Sequence, residues 1–276
     1  MKQPSIIEQI QLFLEEDIGT GDITAQIIPE NKSARAEVVT REDMVLCGQA
    51  CFDAVFRLLD EDVHIEWLAA EGDKVGKDSL LCRLQGNARA LLTGERSALN
   101  ILQTLSATAT QARLYADAIA GTDCRVLDTR KTIPGLRKLQ KYAVTCGGCV
   151  NHRLGLFDGI LIKENHIIAA GSIAAAVHKA RELSELPVEI EVENLQEFEQ
   201  ALAAGPDRVM LDNFSLKDLK AAVKLNAGRV ELEASGNIGL KTIRKVAETG
   251  VDFISIGALT KNINAIDLSM RIDLVH

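Results

Sequence analysis

The chain has 276 residues, enough for one large domain or two modest ones, and 47% of them are hydrophobic and 25% charged. Those proportions exclude a disordered, collagenous, coiled-coil or disulfide-scaffold protein, and 4% aromatics is too few for a single-strand nucleic-acid stacking platform. Lys and Arg number 31 against 39 Asp and Glu, a net charge of −8, opposite in sign to that of a general phosphate-backbone binder. An acidic chain can still hold a local basic pocket.

Residues 5–16 read as a helix rather than an export signal, because Ile6, Ile7, Ile10, Phe13 and Leu14 recur at helical spacing between glutamates. No apolar run reaches the roughly 18 residues that a membrane span requires. A Gly-rich turn at 17–22 precedes expected strands at 34–40, 63–67 and 80–84, with a helix at 48–59 between the first two. The stretch 71–76 has the turn chemistry of a hairpin, and also a likeness to carrier-domain hairpins that present a lysine, here Lys74, at the tip. The six cysteines, in a chain with no export signal, read as reduced thiols of the cytoplasm. Cys146-Gly-Gly-Cys149 has metal or redox spacing but lacks the second pair of a structural zinc site; a small-residue loop is the alternative.

The rhythm becomes regular after a long helix expected at 97–120. Short β runs at 125–129, 159–163, 188–193, 208–212, 229–235 and 253–257 alternate with helices at 172–183, 195–204, 216–225 and 240–249. Repeated βα units imply a parallel sheet. With no G-x-G-x-x-G after the first strand and no P-loop, closure into a barrel is favoured over an open doubly wound sheet.

Barrel chemistry gathers at the C-terminal strand ends, and polar residues recur there. The ends read Thr129-Arg130-Lys131, Lys163-Glu164-Asn165-His166, Asp212-Asn213, Ser235-Gly236-Asn237 and Gly257-Ala258. Glu189, Glu191 and Glu193 share one face of their strand, where inward carboxylates must be paired or functional. Ser235-Gly236-Asn237 is expected to open a helix and, with Gly257-Ala258, to receive a phosphate; ordinary tight turns would use the same residues. Arg130, Lys131, His152, Arg153 and Lys163, with Arg96 at the start of the long helix, could line one pocket for a polyanion. The same residues leave open a Schiff-base aldolase with Lys163 as nucleophile, or a non-catalytic anion-binding protein.

Over nearly its whole length the chain resembles the quinolinate phosphoribosyltransferase family. The resemblance rests on the ordered motifs at 15–24, 94–100, 128–137, 151–156, 161–167, 189–193, 211–214, 233–238 and 255–260. It implies an α/β fold: an N-terminal hammerhead-like α/β sandwich over 1–108, with the tail 266–276 packing on it, and an incomplete, seven-stranded α/β barrel over 109–265. It implies transfer of the phosphoribosyl group of phosphoribosyl pyrophosphate (PRPP) to quinolinate, with Mg²⁺, giving nicotinate mononucleotide, pyrophosphate and CO₂. It also implies a homodimer, or a higher dimer-based assembly, in which Arg96 reaches the neighbour's site. The Asn151-His152-Arg153 block favours quinolinate over the uncertain substrate of a related molybdenum-operon class.

Residue by residue, the resemblance assigns Arg130, His152, Arg153, Lys163 and the neighbour's Arg96 to the two carboxylates, with Thr129 among the substrate contacts and Lys131 on the pyrophosphate or the quinolinate rim. It assigns Ser235, Gly236, Asn237, Gly257 and Ala258 to the 5′-phosphate, and Glu191 and Asp212 to the ribose and hydrated Mg²⁺. Lys131, Lys163, Glu191 and Asp212 are the expected catalytic groups. The sequence departs from the family pattern at Cys149, where glycine is usual, and at Lys261, where histidine is frequent.

Overall fold

The computed structural model describes residues 5–274; residues 1–4 of the expected N-terminal domain and 275–276 of its tail lie outside the described residues. In chain order, α1 (Ile6–Ile18) is started by Ser5, whose hydroxyl accepts the Glu8 N–H while the Glu8 carboxylate accepts the Ser5 N–H. It ends at Gly19, where φ is +52°. A 3₁₀ turn (Thr24–Ile27) leads to β1 (Ser33–Thr40), β2 (Met44–Val45), α2 (Gln49–Leu59), β3 (His64–Trp67), β4 (Lys74–Val75) and β5 (Leu80–Asn87). β5 passes directly into α3 (Ala88–Ala118). Asn87 makes this possible: its Oδ1 accepts the Arg89 and Ala90 N–H groups at 2.9 and 3.3 Å, a cap worth about 1 kcal/mol. The helix thus begins nine residues before the expected 97, and Arg96 lies inside it rather than at its start.

Beyond α3 come β6 (Arg125–Leu127), α4 (Arg137–Cys146), β7 (Ile160–Ile162), α5 (Glu164–Ala170), α6 (Ile173–Leu183), β8 (Val188–Val192) and α7 (Leu195–Ala204). They are followed by β9 (Arg208–Asp212), α8 (Leu216–Asn226), β10 (Glu231–Ser235), α9 (Ile243–Ala247), β11 (Phe253–Ser255), α10 (Ala258–Lys261) and β12 (Leu268–Leu274). The chain divides into two compact units, one running to Thr110 and resuming at Ile263, the other Gln111–Asn262.

The first unit holds an antiparallel sheet in the order β12-β1-β5-β3. β1 shows the period-2 pattern of a half-buried strand: Ala34, Ala36, Val38 and Thr40 are buried while Ser33, Arg35 and Glu37 are exposed. α2 packs on this sheet through Phe52, whose ring meets Trp67 of β3 edge-on at 5.2 Å. Trp67 Nε1 donates to Asp53 Oδ1 at 2.9 Å. Lys74 does not occupy a hairpin tip: it sits in β4, in register with Val45 of β2, so the carrier reading fails.

The second unit is a parallel sheet in the order β6-β11-β10-β9-β8-β7. A further, one-residue member flanks β6, where Val150 forms a parallel bridge with Leu127. Val150 N–H donates to Val126 O at 2.8 Å, and Asp128 N–H to Val150 O at 3.1 Å. Among the described residues the parallel sheet thus has six strands rather than the seven that the family resemblance implies; at this edge only a single bridge forms, and Gly148 just before it takes φ +89°, which breaks an extended run. The sheet is curled into a barrel. His152, just beyond the Val150 edge, touches Glu189 of β8 at 2.8 Å, whereas five flat strand spacings would separate them by roughly 24 Å.

Alternation sorts the strand residues. Ile190, Val192, Val209, Leu211, Leu232 and Ala234 join the apolar core with Phe198 and Ala201 of α7 and Leu219 and Ala222 of α8. Each of the fully buried Val, Leu, Ile and Phe side chains among them contributes about 1.5–3 kcal/mol. The intervening positions, Glu189, Glu191, Met210, Asp212, Glu233 and Ser235, are left for the barrel interior and its mouth.

Candidate active site

The barrel interior is polar and arranged in tiers. At the N-terminal ends of the strands, Arg208 stacks over the Phe253 ring at 4.0 Å and Arg125 at 4.7 Å. Arg208 donates to Glu231 Oε2 at 2.7 Å and to Glu233 Oε2 at 3.3 Å. One tier up, His152 Nε2 lies 2.8 Å from Glu189 Oε2 and 3.5 Å from Glu233 Oε2. Glu233 is fully buried and Glu189 nearly so. Burial pulls the His152 pKa down, but the hydrogen bonds to the two carboxylates and their charges outweigh it and push the value up to about 9. The Arg153 N–H, 2.8 Å from His152 Nδ1, opposes a second ring proton. In either charge state Nε2–H points at the glutamates. Burial and the neighbouring Glu233 raise the Glu189 carboxyl, while His152 holds Glu233 low despite burial.

Above this cluster, at the C-terminal strand ends, a cavity of about 470 Å³ opens. Thr129, Arg130, Lys131, His152, Arg153, Lys163, Glu191, Asp212 and Ser235, all expected from the sequence, line it. Lys163 Nζ is ion-paired with Glu191 Oε2. Arg153 Nη1 donates to Gly159 O at 3.1 Å, and burial together with the adjacent Arg130 pulls its pKa below the ordinary guanidinium value. Among the described residues, Arg130, Lys131 and Arg153 have no carboxylate within ion-pair distance. In a chain of net charge −8, this cavity therefore concentrates unmatched positive charge, which suits an anion of high charge.

Five expected site residues are not among those lining the cavity. Arg96 is exposed on α3 in the first unit. Gly257 backs onto Lys131, whose Cδ would lie 3.0 Å from an added Cβ, and Ala258 opens the four-residue α10. Gly236 takes φ +93° against Asn213, whose Oδ1 would lie 2.2 Å from an added Cβ, so only glycine fits. Asn237 donates to Asn213 Oδ1 at 3.2 Å, and Asn213 donates to Asp212 Oδ2 at 2.6 Å. The Ser-Gly-Asn turn thus braces Asp212. It does not open a helix, since α9 begins at Ile243 after a turn closed by Thr242 and Gly239. The helix-dipole part of the phosphate expectation is withdrawn, and small residues with accessible backbone remain. His152 lines the cavity with both ring nitrogens engaged within the protein, Nε2 by Glu189 and Nδ1 by the Arg153 N–H.

Sequence reading did not place Leu161, Met210, Glu233 or Ser255 in the lining. Leu161, Met210 and Glu233 lie in strands identified from the sequence, and their even spacing from Lys163, Asp212 and Ser235 was the available signal. For metal binding, the described residues of the barrel interior and its mouth offer two sets of donors. His152, Glu189 and Glu233 place ligand atoms within 4.8 Å of one another, but Arg208 beside Glu233 supplies the positive charge there and disfavours a cation. Glu191 and Asp212 are hard oxygen donors at the cavity surface, each with one oxygen committed to a neighbour, a low-count set that fits Mg²⁺.

Comparison with known proteins matches residues 22–106 to the quinolinate phosphoribosyl transferase N-terminal domain and residues 108–271 to its C-terminal domain. The chain belongs to the quinolinate phosphoribosyltransferase family. It is 42% identical over 264 residues to a probable carboxylating nicotinate-nucleotide pyrophosphorylase of Bacillus subtilis, covering 95% of this chain and 91% of the relative. A chloroplastic carboxylating nicotinate-nucleotide pyrophosphorylase of Arabidopsis thaliana is 42% identical over 286 residues, with 96% and 82% covered. The solved nicotinate-nucleotide pyrophosphorylase of Francisella tularensis superposes with a TM-score of 0.95 at 50% identity, over 97% of this chain and 96% of that one.

The two departures from the quinolinate phosphoribosyltransferase pattern fall outside the cavity lining. Cys149 is buried, its Sγ donates to Ala112 O at 3.2 Å, and burial with the nearby Asp128 charge pushes its thiol up to about 12. Such a thiol is inert, which disfavours the redox reading of the Cys-Gly-Gly-Cys motif. Lys261 is exposed at the end of α10.

Proposed function

We infer that the protein transfers the 5-phosphoribosyl group of PRPP to the ring nitrogen of quinolinate, with loss of the adjacent carboxylate as CO₂, releasing pyrophosphate and nicotinate mononucleotide. The observation that carries this reading is the convergence of Arg130, Lys131 and Arg153, unmatched by carboxylates, with the Lys163–Glu191 pair on one cavity of the family's barrel. Quinolinate is a dianion, and Arg forks suit carboxylates bidentately. Arg130 and Arg153 grip it, and Lys163 exchanges its Glu191 contact for a substrate carboxylate. Glu191 and Asp212 then face the ribose, where departing pyrophosphate leaves positive charge that a carboxylate stabilises. Lys131 meets the pyrophosphate, and the turns at Ser235–Asn237 and Gly257–Ala258 receive the 5′-phosphate.

The bond from C1′ to the pyrophosphate oxygen breaks, and that from C1′ to the pyridine nitrogen forms. The quaternised ring then accepts the electron pair of the breaking C–CO₂⁻ bond, and a proton is taken up at that carbon. No protein nucleophile is needed; alignment of two held reactants can supply about 7–11 kcal/mol. Mg²⁺, held by Glu191 and Asp212 through few direct contacts, would neutralise pyrophosphate charge. Against an aldolase reading, the Arg130, Arg153 and His152 set around Lys163 suits a dicarboxylate better than a carbonyl substrate. The test is direct. Pyrophosphate and CO₂ are expected to appear together only when quinolinate, PRPP and Mg²⁺ are all present, and chelation should stop both; release of pyrophosphate without quinolinate would overturn the reading.

The active form is a homodimer in this reading, with exposed Arg96 of the partner subunit completing the anion site, and the protein works in the cytoplasm. No described helix is long and apolar enough to cross a membrane. Arg96→Ala and Lys163→Ala variants, each nearly inactive, should regain up to about a quarter of wild-type activity when mixed, because hybrid dimers restore one intact site. No recovery under demonstrated subunit exchange would remove Arg96 from the neighbour's site.

A further inference from the structure

The helix α4 is absent from the sequence reading and contributes no residue to the cavity lining, yet one of its faces is tied to every loop that carries the cavity's unmatched cations. Arg137, Gln140 and Lys141 stand at i, i+3 and i+4 and therefore share that face. Arg137 forks between two loops: Nη2 donates to Arg130 O at 3.2 Å, Nε to Thr132 Oγ1 at 3.1 Å, and Nη1 to Leu154 O at 3.4 Å. Gln140 Oε1 accepts the Ile133 N–H at 2.8 Å, while its Nε2 donates to Thr260 O at 2.8 Å. Thr260 in turn donates from Oγ1 to Lys131 O at 2.8 Å. Lys141 is 2% exposed and Asp128 0%. Their ion pair at 2.5 Å takes hold of the His152 peptide groups: Lys141 Nζ donates to His152 O, and His152 N–H donates to Asp128 Oδ1, both at 2.9 Å.

These contacts end mainly on backbone atoms of residues that carry, or adjoin, a substrate-facing cation. α4 also buries Leu139, Ala143 and Val144, so these polar contacts come in addition to ordinary packing. The arrangement also answers a physical problem. Arg130 and Arg153 lie close enough to depress the Arg153 pKa, so in the absence of an anion they repel. Holding them together before substrate arrives requires a restraint on their backbones. The Arg137 fork, one arm on Arg130 O and another on the residue after Arg153, supplies it.

We propose that Arg137 is a positioning residue that fixes the separation of Arg130 and Arg153 for a planar dicarboxylate, with Gln140 and the Lys141–Asp128 pair holding the flanking loops. The assignment of the dicarboxylate rests on the function proposed above. Arg137 is half-buried, so its replacement leaves the apolar core intact. In Arg137→Gln, quinolinate KM should rise at least about tenfold, PRPP KM should stay within about threefold, and kcat should fall less than the quinolinate KM rises. Arg137→Lys keeps the charge but cannot span two carbonyls, and should be nearly as impaired as Arg137→Gln. Full activity in Arg137→Lys would mean that charge alone matters and would overturn the proposal, as would an unchanged quinolinate KM in Arg137→Gln.

A readout without substrate separates this claim from the reaction itself. Amide hydrogen exchange at 130–133 and 152–155 should accelerate about tenfold in Arg137→Gln, with exchange elsewhere in the barrel unchanged. Unchanged exchange there overturns the positioning role whatever the enzyme's substrate; acceleration throughout the barrel overturns it in favour of a general structural role. Replacing the buried pair together, Lys141→Met with Asp128→Leu, keeps an apolar fit and should accelerate exchange at 152–155 without unfolding the protein. If that variant folds with those amides still protected, the pair has no part in holding the loop.

Discussion

Arg153→Ala is expected to raise the quinolinate KM about 100-fold, because truncating one partner of a partly buried charged contact costs about 2–5 kcal/mol. The guanidinium already bears the cost of burial and of facing Arg130, and its hydrogen bond to Gly159 O orients it before any ligand binds. Preorganised in this way, it has little left to lose on meeting a carboxylate. PRPP contacts other groups of the cavity, so its KM should stay within about threefold. Steady-state kinetics with each substrate varied, supported by calorimetric titration with quinolinate, makes the check. Equal losses for both substrates would show that Arg153 supports the whole cavity instead of one ligand.

The second large effect concerns turnover. Glu191→Gln should lower kcat about 100- to 1,000-fold, the usual penalty for removing one group aimed at transition-state charge, while leaving quinolinate KM unchanged or lower. The sign of the KM change follows from the Lys163–Glu191 pair. With the carboxylate gone, Lys163 has no internal partner to give up and is freer to meet the substrate. A general weakening of the site would raise KM, so the direction is diagnostic. Lys163→Met provides the mirror image, with quinolinate KM rising as the cation is lost. Turnover within about threefold of wild type in Glu191→Gln would take that residue out of the chemistry.

What could be read from the sequence follows from where alternation and spacing are strict. β9 and α7 have the expected bounds, 208–212 and 195–204, because a short apolar strand and a one-faced helix are each bounded by turn residues, Asn194 capping α7 and Gly205 ending it. The inward placement of Glu189 and Glu191 follows from period 2 alone, and both are paired in the structure. α4 stayed hidden because its buried side mixes Leu139, Ala143 and Val144 with Gln140 and Lys141, so its apolar periodicity is interrupted by polar residues that no sequence pattern marks as inward. The Val150 strand is a single bridge and has no period to detect. The engagement of His152 by Glu189 and Glu233 depends on barrel curvature, which joins residues 37 and 81 positions apart in the chain. Gly236 and Gly257 were singled out as phosphate contacts; the packing of Asn213 and Lys131 against them gives each glycine a second reason to be there.

The pairing of β12 with β1 ties together parts of the chain that lie on opposite sides of the whole barrel unit in sequence. Residues 34–40 find one of their two strand neighbours only in residues 268–274. Folding of the first sheet must therefore close a loop longer than the barrel itself, and β1 stays open along one side until that ribbon arrives. A variant with residues 268–274 deleted would keep a permanent sticky edge, and it should be captured by chaperones or aggregate even though every cavity residue is present.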